Sequence, residues 1–355
     1  MKRIGSILLK IGKFLLWTLL VLAVIVGAVA IWLRIEPAEV TECDAGFVLF
    51  EHTEGVDCIP EKPERVVSLS ATISQFLVAV DHKPAGVIDV MDTLALSDIP
   101  GLDERWQAHH EGIPRVAGLP PELESLLSIQ PDLVMSEFDL GNPVKVVETF
   151  APYVVFDFRD WKGQMVEVGE VIGEKEAAEQ MLGDYNERVE ILRAQFDDPA
   201  AITVSSSRVF QETRWMNLPN SFAGQVIADV GFSFPEAQLE TVANDADFDK
   251  ERTAYEISDE RLDLLDADYV FLYDGWPEAM LEDQETSTDE MVGALMSNPL
   301  FQTLGAMESD QVERVGMYWE AQGIYSAHAV LDDLFIHVAG VDPEEVAPNP
   351  LVSKQ

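Results

Sequence analysis

Between Gly173 and Pro199 the chain reads EKEAAEQMLGDYNERVEILRAQFDD, and this stretch limits the possible architecture more than any other. Ala178, Met181, Leu182, Tyr185, Val189, Leu192 and Phe196 recur three or four residues apart, the spacing that lines one side of a helix. Gly173 breaks it from what precedes, and Pro199 forbids its continuation. A helix over Glu174–Phe196 would be roughly 35 Å long, enough to cross a small domain. Segments of similar length flank it, each alternating strand and helix. The expected architecture is two α/β lobes joined by one rigid rod.

The first lobe is expected to run strand (Arg65–Ser70), helix (Ala71–Val80) and strand (Ala85–Val90). A loop with Trp106, His109 and His110 follows, then a short helix over Leu123–Ile129, the strand LVMSE, a helix over Val144–Phe150 and the strand YVVFDF. Beyond the rod come a strand (Ile202–Phe210), a helix (Ser221–Val230), a short helix capped by Ser258 and a strand (Tyr269–Tyr273). A helical turn at Pro299–Leu304, a strand (Gln311–Val315) and a closing helix (Ser326–Ala339) complete the lobe. ETRWMNLPN, VANDADFDKERTAYE and PEAMLEDQETSTDEM read as loops. Such alternation calls for mostly parallel sheet with helices on both faces.

The N-terminal head sets the compartment. Phe14–Leu33 is an uncharged, predominantly apolar run about as long as a ~30 Å hydrocarbon core requires. Lys2, Arg3, Lys10 and Lys13 precede it, and no acidic residue occurs before Glu36. Positive-inside bias keeps the N-terminus cytoplasmic and exports the rest. The small residues Ala28-Val29-Ala30 suit a signal peptidase and leave a cleaved signal peptide as the rival, but an uncleaved anchor is expected, because the apolar run continues through Ile31, Trp32 and Leu33. Cys43 and Cys58 are the only cysteines, and outside the cytoplasm two thiols point to a disulfide. It would tie a hairpin built on AGFVLFEHTEGVDCIP and contribute about 3 kcal/mol. Cys43 follows Thr41-Glu42, not the small apolar box of a lipid attachment site.

The chain carries 64 Asp and Glu against 23 Lys and Arg, a formal net charge of −41. Such a surface repels phosphates and argues against a nucleic-acid partner. No HExxH, GxSxG or phosphate-cradling glycine loop occurs, and Ser205-Ser206-Ser207 has no identifiable base, so no catalytic residue is assigned. The histidines (His52, His82, His109, His110, His328 and His337) assemble into no metal set.

ELESLLSIQPDLV and SDERLDLLDADYV echo each other, each a carboxylate-bearing short helix leading into a strand, once per lobe. With CIPEKPERVVSLSATISQFLVAVDHKPAGV, FAPYVVFDFRDW, VGEVIGEKEAAEQMLGDY, SNPLFQTLGAMESDQVERV and the YWEAQG to LDDL ending, they carry a resemblance over roughly residues 43–340. The chain resembles the substrate-binding proteins of bacterial iron-siderophore and cobalamin ABC transporters, the periplasmic binding proteins with a helical backbone. The resemblance implies two Rossmann-like α/β lobes joined by a single long backbone helix, with a shallow cleft between them. The expected organisation is an N-terminal transmembrane helix or uncleaved signal (1–35), a disulfide-tied hairpin (36–62), an N-terminal lobe (63–161), connecting helices (162–197) and a C-terminal lobe (198–345). It implies an exported monomer with no intrinsic cofactor that captures a ferric siderophore and delivers it to a permease and its ATPase. A cobalamin or haem binder, or an extracellular sensor that kept the fold, are the alternatives.

In that family one glutamate per lobe docks into arginine pockets of the permease, and the matching positions are Glu124 and Glu260. Two bidentate carboxylate–guanidinium pairs would orient the cleft over the translocation path. A ferric chelate calls for arginines on its anionic oxygens and aromatic planes beside them. The candidates are Phe138, Arg159, Trp161, Arg214, Trp215, Arg252, Trp276 and Trp319, each with a bland alternative in packing or surface ion pairing. Some hydroxamate binders carry an arginine just before the PELE-like segment, where Pro120-Pro121 stands here. That disfavours hydroxamates and leaves catecholates, carboxylates, haem and cobalamin open.

Overall fold

The short strands Val66–Ser68 (β3), Gly86–Ile88 (β4), Arg115–Val116 (β5), Leu133–Ser136 (β6) and Tyr153–Val155 (β7) follow a hairpin, Phe47–His52 (β1) and Gly55–Pro60 (β2). In this computed structural model residues 42–88, 99, 102–118, 121–137, 146–210, 213–274 and 288–352 are described. The expected anchor over 1–35 lies outside them. Among the described residues no helix is long and apolar enough to cross a membrane.

β3, β4, β6 and β7 are mostly apolar and buried on both faces, as a sheet covered on both sides requires. They pair in the order β5-β4-β3-β6-β7, all parallel. The crossovers include helices Ala71–Ala79 (α1), Asp103–His110 (α2) and Leu123–Ile129 (α3). The loop expected around Trp106 and the two histidines is therefore helix α2. His110 turns inward there, its ring 3.9 Å from that of Trp106, and burial pushes its imidazole down to about 4. The hairpin packs Ile59 inward and hitches to the sheet edge, since Thr53 donates backbone N–H and Oγ to the carbonyl of Val155. Cys43 and Cys58 are disulfide-bonded.

Two helices lead from this lobe to the next, Trp161–Ile172 (α4) and Lys175–Arg193 (α5), with Gly173 between them at φ +80°. A side chain there would be strained, so the glycine sets the turn. α5 is about 28 Å long. It is shorter than expected because the chain leaves the helix after Ala194. Ala178, Tyr185, Val189 and Leu192 are buried as the spacing predicts, and Arg188 is buried with them.

The second lobe holds Val204–Val209 (β8), Arg214–Asn217 (β9), Ala254–Ile257 (β10), Tyr269–Asp274 (β11) and Val312–Arg314 (β12), in the order β10-β9-β8-β11-β12. β8, β11 and β12 are parallel, whereas β9 is antiparallel to both neighbours. Among the described residues its longer helices are Phe222–Val230 (α6), Glu236–Asn244 (α7), Thr288–Met296 (α8) and Ile324–Asp333 (α9). All three expected loops are thus partly regular: ETRWMNLPN contains β9, VANDADFDKERTAYE the end of α7 and most of β10, and PEAMLEDQETSTDEM the start of α8. Pairing across to β8 organises β9, a force invisible to a local reading.

α9 crosses back to the first lobe. Gln75 of α1, fully buried, donates to the carbonyl of Gln322 at 2.7 Å and to Ser326 Oγ at 3.3 Å. Gly323, at φ +133°, leaves room for that amide: a Cβ would sit 2.7 Å from Gln75 Oε1. Just beyond, Asp333 accepts from Trp319 Nε1 at 2.7 Å and Tyr318 Oη at 2.9 Å. Burial pushes its carboxyl up to about 6 from 3.8, against the lowering effect of those two bonds. The folded state therefore holds this proton more tightly than the unfolded chain, and the group's contribution to stability is lost as pH rises from about 4 to 6. Asp333→Asn is expected to remove that slope. Against the parent it should be relatively less stable at pH 4 than at pH 7, by on the order of 2 kcal/mol. Paired thermal melts across the range check it; a constant offset would refute it.

Candidate functional site

In each sheet the chain first lays down the central strand, β3 or β8, and later strands go to opposite sides. That makes β3/β6 and β8/β11 topological switch points, where open α/β sheets leave a crevice beyond their carboxyl ends. In the first lobe Glu137 stands there, just past β6. Ser70 Oγ donates to one of its oxygens at 2.6 Å and Gln164 Nε2 to the other at 3.0 Å. Burial raises its pKa, and these bonds oppose that.

In the second lobe a cavity of about 350 Å³ lies beside the carboxyl end of β8, between the turn Phe158-Arg159 and a wall of Arg208, Trp215, Arg252 and Glu320. Register explains the wall. Arg208 at the end of β8 is the cross-strand partner of Trp215 on β9, so both side chains leave the same face. The Arg208 guanidinium lies over the rings of Phe210 (5.1 Å) and Trp215 (5.7 Å), and that of Arg252 over Trp215 (5.0 Å). Arg208 donates to Glu320 at 3.0 Å, and Glu320 also accepts from Tyr273 Oη at 2.7 Å. Tyr273 is fully buried, and burial with the Glu320 charge holds its phenol far above the usual range, so it remains a donor. Arg159, on the exposed turn, pairs with Asp157 at 3.1 Å and with Glu251. Arg252 forms no ion pair with another described residue.

Of the residues expected at the cleft, Arg159, Trp215 and Arg252 come together at this cavity. Trp161 lies in the core at 1% exposure, edge-on to Tyr185 and Phe222, and offers a solute no surface. Trp319, fully buried, stacks on Phe271 at 4.4 Å. Arg214 turns inward, donating to the carbonyls of Phe210 and Thr213 and pairing with Asp259. Phe138 and Trp276 lie outside the described residues. Sequence reasoning missed Arg208, Phe158 and Glu320. Arg208 could have been found from its place at the carboxyl end of a predicted strand beside the arginine–tryptophan pair. Glu124 and Glu260 are exposed, each in the first turn of its helical segment, α3 and the 3₁₀ stretch Asp259–Leu265. Among the described residues no group of three or more His, Cys, Asp or Glu could hold a metal ion.

Two α/β lobes, a helical connection and a charged crevice are the architecture of a two-lobed solute-binding protein. A family model described as periplasmic binding protein matches residues 66–316, and the chain belongs to that family. It is 28% identical over 282 residues to the achromobactin-binding periplasmic protein of Dickeya dadantii, covering 77% of this chain and 85% of that one. It is 22% identical over 294 residues to the ferric enterobactin-binding periplasmic protein FepB of Escherichia coli, covering 79% and 88%. Among solved structures, Staphylococcus aureus SirA complexed with staphyloferrin B shares the fold at TM-score 0.68 and 21% identity, covering 82% of this chain and 98% of that one. The siderophore periplasmic binding protein from the fuscachelin gene cluster of Thermobifida fusca gives 0.60 and 26%, covering 80% and 99%.

Proposed function

We propose that this chain is the extracytoplasmic binding component of an ABC importer, capturing a ferric siderophore and presenting it to a membrane permease. The observation that carries the reading is the cavity itself: three arginines converge around one tryptophan in a chain whose net charge is −41. Guanidinium groups suit the hard anionic oxygens of a ferric chelate. The relatives named for achromobactin and ferric enterobactin support the same class of ligand. The apolar run Phe14–Leu33 would tether the protein beside its permease, where local concentration substitutes for docking affinity. The disulfide is consistent with an oxidising exterior.

The test is a panel of ferric citrate, a ferric tris-catecholate and a ferric hydroxamate, titrated against the soluble part while tryptophan fluorescence is followed. At least one should quench with micromolar or tighter affinity. Arg252→Ala should weaken that chelate about tenfold or more, and Trp215→Phe should remove most of the quench. A panel with neither quenching nor a thermal shift would refute the reading.

A further inference from the structure

The cavity carries its own anions. Arg208 is paired with Glu320, and Arg159 with Glu251, so two of its three cations already hold a carboxylate where an incoming ligand would place its oxygens. The two carboxylates are fixed very differently. Glu320 is doubly held: one oxygen accepts from Arg208 at 3.0 Å, the other from the buried Tyr273 hydroxyl at 2.7 Å. Asn217 Nδ2, itself buried, donates to that hydroxyl at 2.8 Å and fixes the phenol in turn. Glu251 lies on the strand-poor segment between α7 and β10 with its side chain 76% exposed. Its carboxylate's partner is Arg159, whose guanidinium also binds Asp157. The Arg159–Glu251 pair runs from the turn before α4 across the mouth of the cavity to the second lobe.

Resting on the siderophore-binding reading, we infer that these two glutamates are specificity-determining residues of opposite sign. Glu251 is an internal competitor that an anionic ligand displaces from Arg159, whereas Glu320 is a positioning residue that stays in place and aims Arg208 at the ligand. The physics of the exchange follows. Moving Arg159 from Glu251 to a ligand oxygen breaks one exposed ion pair and makes another, so the count of pairs does not change. An anionic solute without oxygens able to match the carboxylate therefore gains nothing there, and Glu251 filters out weaker anions. Were Glu320 to leave, the buried Tyr273 hydroxyl would lose its 2.7 Å acceptor and keep only Asn217 Oδ1, at 3.1 Å. Glu320 takes one terminal nitrogen of Arg208 and so fixes the place of that guanidinium in the cavity wall.

The experiment measures affinity for whichever ferric chelate of the panel binds the parent soluble protein, at low and high ionic strength. Glu251→Gln is expected to tighten binding about two- to fivefold at low salt. The gain should shrink towards nothing near 1 M salt, because the variant forms a pair that the parent only exchanges. Glu320→Gln, which keeps shape and one acceptor oxygen, should weaken binding about tenfold. Tyr273→Phe touches no ligand and should reproduce part of that loss by freeing Glu320. Thermal melts separate these effects from misfolding. Both glutamine variants shifting affinity in the same direction, or a Glu251→Gln effect independent of salt, would overturn the inference while leaving the siderophore reading intact. A parent that binds none of the panel would overturn both.

Discussion

Arg188→Met is expected to lower the unfolding free energy by about 3 kcal/mol, near the lower end of what breaking a buried pair costs. In a domain of this size that corresponds to roughly 5–10 °C in Tm. The reason lies on the buried face of α5. The Arg188 side chain is 4% exposed, and its guanidinium binds Asp332 of α9, donates to His328 Nδ1 at 2.9 Å and donates to the carbonyl of Ala347 at 2.8 Å. It also lies over the Phe335 ring at 5.6 Å. Burial and the adjacent guanidinium push the His328 imidazole far below its usual range, so it stays neutral and accepts. Methionine would fill the space but leave Asp332 without its cation and the Ala347 carbonyl without its donor. Because a fifth of the Asp332 side chain reaches solvent, the penalty falls short of that for a fully enclosed charge. The comparison variant is Lys175→Ala, whose pair with Glu170 is about half exposed on both sides and should barely move the melt. Equal Tm values for Arg188→Met and Lys175→Ala would refute the account.

That arginine also marks the limit of reading a sequence by period. Spacing placed Ala178, Tyr185, Val189 and Leu192 on one face correctly, since apolar residues leave water for one general reason. Arg188 sits between them because three polar groups from distant parts of the chain meet it, and no local pattern encodes that meeting. The same holds at the cavity. Strand, turn and helix order were legible, so the carboxyl ends of the strands could be located, and Arg159, Trp215 and Arg252 do line one cavity. Trp161 and Trp319 were not separable from them in sequence. A tryptophan beside a cleft and one plugging a core have the same composition around them, and packing alone put Trp319 flat on Phe271. Glu320 was invisible because its role depends on Tyr273, 47 positions earlier.

Charge reversal at both Glu124 and Glu260 is expected to abolish uptake of the ferric chelate in cells that express the protein with its permease, while affinity in solution stays within about twofold. Neither residue lines the cavity. Each stands exposed in the first turn of its segment, one beyond the outermost strand β5 and the other beyond the outermost strand β10. Two anchors on separate lobes fix an orientation that a single contact leaves free to swivel, so each single reversal should reduce uptake and the pair should eliminate it. A carboxylate lost from an arginine pocket leaves the guanidinium unpaired, and a reversed charge adds repulsion, which together exceed a tenfold loss per site. The competing role for these glutamates is local: an acid in the first turn of a helix interacts favourably but weakly with the dipole. Under that role Glu124→Arg and Glu260→Arg would soften thermal stability slightly and leave transport untouched. Radioiron uptake with both residues reversed therefore decides between the two, and full uptake would refute the docking assignment.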